Sequence, residues 1–302
     1  MSNIMKKEIT DLAISYFREN SAAKKLGILL KAEKLLETYT WSSYSRFKED
    51  FGFSYFAGIN TSQKTVKGIK KNYNTLILYL SAGKNAGKDL CSFATTGCRM
   101  ACLEDSGQAA LDVHKKIPTV KPSRIKKSWI CIYRPDLAEK AFQHEIDAGK
   151  RKSLKQGRNF SARPNGTADL NWKKLIESNP NTIFYDYTKN PTRIEAENYH
   201  LTFSYSSMQS TRVAHYRTAI SKGINIAIPV AKEDFGKALK LENTFSMDET
   251  DLRFLDTEKG KFGILKAKVT RGMQAGKDEK FILSFEELIE LITVISYEQM
   301  AA

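Results

Sequence analysis

From residue 73 onward, short apolar runs alternate with stretches of helical periodicity. This alternation limits the possible folds more than any other feature of the chain. The runs are TLILYL (75–80), SWICIY (128–133), RNFSAR (158–163), TIFYDY (182–187), HLTFSY (200–205), INIAIP (224–229) and FGILKA (262–267), with LRFL (252–255) a weaker strand candidate. Helices are expected over 101–114, 136–150, 169–178, 209–221 and 233–241. A last apolar helix spans 284–295, where Ser284 and Glu287 have capping-box spacing. Strand and helix in regular turn imply an α/β fold of parallel strands joined by crossovers. Seven or eight strands fit a complete or partial (β/α) barrel. A doubly wound open sheet is the alternative. The barrel-like domain is expected over 73–302.

Residues 1–72 read as an extension. Two amphipathic helices fill 1–40, with Ile9, Leu12 and Phe17 on one stripe and Leu26, Leu29 and Leu36 on the other. Residues 41–72 are aromatic and glycine-rich, which predicts a loop-rich cap. No run approaches the roughly 18 apolar residues of a membrane span. The first residues lack the pattern of a signal peptide, so a cytoplasmic protein is expected.

Polar residues gather where the apolar runs end. In parallel α/β folds those strand ends carry the active site. Arg163, Asn165, Thr167 and Asp169 form one set, suited to a carboxylate, ribose or phosphate. Asp186 and Lys189 end the next run, and an acid within an apolar strand needs a partner or a ligand. Ser204, Ser206 and Ser207 follow the run after that. Arg163, Asp186 and Lys189 are the candidate catalytic residues. Asn165, Thr167, Asp169, Ser204 and Ser206 are the candidate cofactor-binding residues.

Three of the four cysteines, Cys91, Cys98 and Cys102, are spaced Cys-x6-Cys-x3-Cys directly after the first strand run. The x3 spacing predicts Cys98 and Cys102 on one face of a helical turn, and Gly97 is expected to let the backbone bend toward a bound group. In a reducing compartment clustered thiols point to metal. Three thiolates suit a 4Fe-4S cluster with one open iron. They also suit zinc with a fourth ligand such as His114. Cys131, inside an apolar run, reads as a core thiol. His144, His200 and His215 show no metal-binding spacing. AGKNAGK (82–88) lacks the G-x4-GK[ST] form of a phosphate loop.

The chain has 48 Lys+Arg against 34 Asp+Glu. Residues 114–127 contain six basic residues and no acid, and residues 150–158 contain five and no acid. Both stretches are expected to attract nucleic acid or a nucleotide.

Gly87-x3-Cys91-x6-Cys98-x3-Cys102-Leu103, then Arg163-x-Asn165-Gly166-Thr167-x-Asp169, then Phe184–Lys189 (FYDYTK), resemble the phage gene product 88 family over roughly residues 75 to 270. The resemblance implies a phage or prophage context, and with it a host-cell cytoplasm. At the level of architecture the layout is also similar to radical S-adenosylmethionine enzymes, which hold a 4Fe-4S cluster on three cysteines after the first barrel strand. Their usual spacing is Cys-x3-Cys-x2-Cys. That resemblance implies S-adenosylmethionine as a cofactor.

Two functions follow as expectations. One is a cluster-dependent enzyme, radical S-adenosylmethionine-like, acting on nucleic acid or a nucleotide. The other is a non-enzymatic nucleic-acid-binding protein with a structural zinc or iron–sulfur site.

Overall fold

The computed structural model describes residues 2–193, 196–268 and 272–297. The chain opens with helices α1 (Ser2–Arg18), α2 (Ala22–Glu37) and α3 (Tyr44–Phe51). Ser21 and Ser43 cap α2 and α3, each hydroxyl accepting a backbone N–H in the first turn. Next come β1 (Gly58–Ile59), α4 (Gln63–Lys67) and β2 (Tyr73–Ile77). The cysteine segment holds only short helices, α5 (Thr96–Met100) and α6 (Gly107–Leu111). The long pair α7 (Val120–Tyr133) and α8 (Pro135–Lys155) leads to β3 (Asn159–Arg163). Then follow α9 (Lys173–Glu177), β4 (Ile183–Thr188), β5 (Tyr199–Ser204), α10 (Ser210–Ser221), β6 (Ile226–Val230), α11 (Phe235–Ala238), β7 (Thr244–Ser246) and β8 (Phe262–Lys266). Helices α12 (Met273–Asp278) and α13 (Phe285–Tyr297) end the described chain. Ser284 and Glu287 exchange backbone N–H bonds of 3.2 and 3.0 Å at the start of α13, the expected capping box.

The eight strands form one sheet in the order β1-β2-β3-β4-β5-β6-β8-β7. All neighbours are parallel except β1 and β2. The α/β class and the parallel crossovers therefore hold, but the sheet does not close. A closing pair would join β2 to β8, and the edges it needs are taken by β1 and β7. The order runs in sequence from β1 to β6 and reverses only at the β8-β7 edge, so it lacks the central switch point of a doubly wound sheet.

The run SWICIY is helical and forms the last turns of α7. A continuous apolar run cannot be told from a buried helix by periodicity. Here Ile125, Trp129 and Ile130, at helical spacing, enter the core. LRFL is also not a strand, since residues 253–255 form a 3-10 turn. The helix expected over 101–114 is broken into short turns and α6.

Strand alternation sorts the sheet into two faces. Leu76, Ala162 and Phe184 face a core shared with α7, α8 and the N-terminal helices, through Trp129, Phe142, Phe47 and Ile9. Phe203, Ile226 and Phe262 face a second cluster with α10 and α13. The opposite face is polar and aromatic. Thr75 and Ser161 hydroxyls meet at 3.1 Å across β2 and β3. Phe254 covers this face, with ring centroids 5.1 Å from Tyr73, 5.5 Å from Tyr185 and 5.8 Å from His200. Among the described residues no helix is long and apolar enough to cross a membrane.

Candidate functional site

A cavity of about 500 Å³ opens at the C-terminal ends of β2, β3, β4 and β5. Cys91, Cys98 and Cys102 all line it, together with Arg163, Asn165, Thr167, Asp169, Lys189 and Ser204. The polar strand ends and the cysteine segment thus meet at one place.

The cysteine segment is held by side chains on every side. Arg99 donates to both Asp89 carboxylate oxygens at 3.2 and 2.8 Å, and to the Cys91 carbonyl at 3.0 Å. Asp89 also accepts the Cys91 N–H at 3.0 Å. The buried Glu104 carboxylate accepts from the Ala82 N–H at 2.7 Å and the Asn85 amide at 2.8 Å. Thr95 caps α5 and donates to the Ser206 carbonyl at 2.9 Å, which ties the segment to the end of β5. Asp89, Arg99 and Glu104 were not singled out from sequence. An acid–base pair at a separation of ten residues is the signal for the first two, but a loop offers no period by which to read it.

Helix α5 ends at Met100, so Cys102 lies beyond it and begins a 3-10 turn. The expected shared helical face for Cys98 and Cys102 is therefore not formed. Gly97 serves packing instead of bending toward a ligand: a Cβ there would sit 2.8 Å from Phe281 and 2.9 Å from Glu279.

Two thiols accept backbone N–H groups at 3.4 Å, Cys91 from Gly83 and Cys102 from Glu104. The Cys91 thiol donates to the Thr167 carbonyl at 3.7 Å. Burial pushes Cys91 up to about 11, against the Gly83 N–H, and Cys102 up to about 12, against the Glu104 N–H. Burial thus disfavours the thiolate at both positions, and a bound cation would favour it. Among the described residues no three His, Cys, Asp or Glu side chains converge closely enough to share a metal ion. Donor chemistry and N–H donors to sulfur suit a metal–sulfur group, but loading needs the thiols to draw together. His114 is exposed and does not line the cavity. Cys131 lies on α7, packed against the main core.

Most polar strand-end residues are engaged within the fold. Asp186 accepts from the Asn165 backbone and amide at 2.9 Å each and from the Tyr199 hydroxyl at 3.0 Å. Its burial lifts the carboxyl to about 6, opposed by the Arg163 charge and the Asn165 bonds. Asn165 also exchanges two bonds with the Leu170 backbone, at 2.9 and 3.0 Å. Thr167 donates to the Leu80 carbonyl at 2.5 Å and accepts its N–H at 3.1 Å. Asp169 accepts from Thr188 and the Lys189 N–H and pairs with Arg193 at 2.7 Å. Lys189 donates to the hydroxyl of Ser204, beside it on the neighbouring strand, at 2.6 Å. Ser206 is buried against the Tyr216 hydroxyl and does not line the cavity. The Arg163 Nε and the Tyr187 hydroxyl are buried without a hydrogen-bond partner, and both residues line the cavity.

The two basic stretches part company. In 114–127, Lys115 pairs with Asp112 and Lys121 with Asp105, while Arg124 lies over the Tyr79 ring. Lys126 and Lys127 are buried. In 150–158, Arg151, Lys152 and Lys155 are exposed at the C-terminal end of α8, which precedes β3 and so lies at the opposite end of the sheet from the cavity.

The Gene product 88 family model matches residues 57–283, more than half of the chain and all of the cavity-forming elements. No curated protein and no solved structure matches it. With its cysteine segment, its strand-end motifs and that match, the chain belongs to the gene product 88 family.

Proposed function

We propose that this chain is a metal–sulfur enzyme that holds a 4Fe-4S cluster on Cys91, Cys98 and Cys102 and works on a nucleotide or nucleic acid. The observation behind this reading is that all three cysteines line one cavity at the strand C-terminal ends, with backbone N–H groups aimed at two of the sulfurs. Such donors tune metal-bound sulfur. The singly wound order from β2 to β6 supports reading the sheet as a partial barrel whose mouth is this cavity.

When bound, an iron–sulfur group with an open iron supplies one-electron chemistry. The chain supplies the rest. Lys189 offers a cation that can leave Ser204 for an anionic group, while Arg163 and Tyr187 lie in the wall beneath it. Cys91 would give up its bond to Thr167 on becoming a thiolate, while the Gly83 N–H continues to donate.

Anaerobic reconstitution followed by metal analysis and a visible spectrum tests this. About four irons per chain with broad absorption near ~400 nm, lost in Cys98→Ala, supports the cluster; S-adenosylmethionine cleavage is assayed next. Stoichiometric zinc without colour removes the redox chemistry.

A second reading, a non-enzymatic nucleic-acid-binding protein with a structural metal, is favoured by the exposed cations at the end of α8. It requires salt-dependent nucleic-acid binding that survives alanine at Arg163 and Lys189.

A further inference from the structure

At the other end of the sheet β5 and β6 splay apart. They pair only at Phe203 with Ile226 and Ser204 with Ala227. Below that point, at the strand N-terminal ends, lies a second cavity of about 330 Å³. His200, Lys222, Arg253 and Lys259 line it, along with Thr202 and Asn225, and among the described residues no acidic side chain does.

The fold brings Lys222, Lys259 and Arg253 around this hollow. The turn carrying Lys259 is clamped to the start of β6, since Asn225 donates to the Glu258 carbonyl at 2.8 Å and accepts the Lys261 N–H at 3.0 Å. Gly260 has φ +61°, and a Cβ there would stand 2.8 Å from the Ile220 carbonyl and 3.6 Å from the Gly223 Cα. That close approach sets the Lys259 turn against the Lys222 turn. Neither lysine has an ion-pair partner among the described residues.

Beneath them the Arg253 side chain is almost wholly buried. Its Nη2 donates to the Thr250 carbonyl, and its Nη1 is 3.4 Å from Asp256, which does not line the cavity. Its Nε and Nη1 are buried without a hydrogen-bond partner. Desolvation, and then the Lys259 charge, hold His200 below its ordinary range. Two exposed lysines over an arginine with unpartnered nitrogens, around one hollow with no acid in its described lining, favour an anion between them.

We propose that this cavity is a binding site for a phosphate group, with Arg253 as the buried fork and Lys222 and Lys259 as the exposed clamp. It is separate from the cysteine cavity and does not depend on metal there.

The test uses the full chain and inorganic phosphate. Thermal unfolding is followed in sodium phosphate and in sodium chloride at matched ionic strength, and the ³¹P line width of phosphate is recorded with the protein. Phosphate is expected to raise Tm beyond chloride and its resonance to broaden. Lys222→Ala/Lys259→Ala, which removes exposed side chains only, is expected to weaken binding at least ~10-fold, while Cys98→Ala leaves it unchanged. Adenosine monophosphate distinguishes the sources: competition with phosphate assigns a phosphorylated small molecule, and its failure assigns free phosphate. Equal stabilisation by phosphate and chloride overturns the proposal, as does a folded double variant that binds like the parent.

Discussion

Arg163 and Asp251 form an ion pair of 2.6 Å in which both side chains are buried, and Arg163 also lines the cysteine cavity. The two residues come from the end of β3 and the loop after β7. Burial alone would raise the Asp251 carboxyl, but the charges of Arg163, Lys64 and Arg253 hold it below its ordinary range. Lys64 lies 3.7 Å from its other oxygen, and the Tyr185 hydroxyl donates at 3.4 Å. Beneath the cavity therefore lies a buried charge network in low dielectric.

Removing one partner strands the other. Asp251→Ala is expected to destabilise the chain by about 3–5 kcal/mol, because a buried guanidinium is left uncompensated. The double variant Arg163→Met/Asp251→Leu should recover most of that loss. Urea unfolding midpoints of the three chains check both statements.

Asn165 is expected to be a positioning residue. Asn165→Ala removes the amide bond to the buried Asp186 and both bonds to Leu170. The expected cost is about 1.5–3 kcal/mol, read by urea unfolding. Asp186→Asn keeps the shape of the carboxyl but loses an acceptor, and should fall between Asn165→Ala and the parent.

Lys127 gives a pH dependence of defined sign. It is buried near the Phe53 and Tyr55 rings, at 5.5 and 4.9 Å, and desolvation lowers it to about 7, helped by the Arg124 charge. Its unfolded value is near 10.5. Between those limits the unfolded chain binds the extra proton, so stability rises with pH from about 7 to about 10.5. Lys127→Met should flatten that rise and add roughly 1–3 kcal/mol at neutral pH. Tm measured from pH 7 to 10 for both chains checks it.

The fourth cysteine separates packing from metal binding. Cys131 belongs to the α7 face packed on the core. Cys131→Ala is expected to keep full iron uptake while costing about 1 kcal/mol of stability, and Cys91→Ala to lose iron. Iron per chain after anaerobic reconstitution, beside a thermal melt, distinguishes them.

The two N-terminal helices, the α13 capping box and six of the seven apolar runs were readable because each rests on local periodicity or on a pair of residues three apart. SWICIY was not readable as a helix, since Trp129 to Ile132 are consecutive apolar residues with no period and only packing on α1 and α2 decides their state. Strands of two and three residues, β1 and β7, are too short for any period, and they are the ones that leave the sheet open. In the site, the residue types pointed to the right end of the sheet. They did not reveal that Asp186, Asn165 and Thr167 spend their hydrogen bonds on one another and on the backbone.

By itself the sequence determined the parallel α/β class, the position of the cysteine segment after the first parallel strand, and the polar character of the strand ends. These follow from hydrophobic period and chain order. Only the tertiary structure decided which charges are buried, which basic stretch faces solvent, and that two cavities lie at opposite ends of one sheet. Burial and pairing join residues such as Arg163 and Asp251 that lie far apart in sequence. No local pattern encodes the desolvation that governs them.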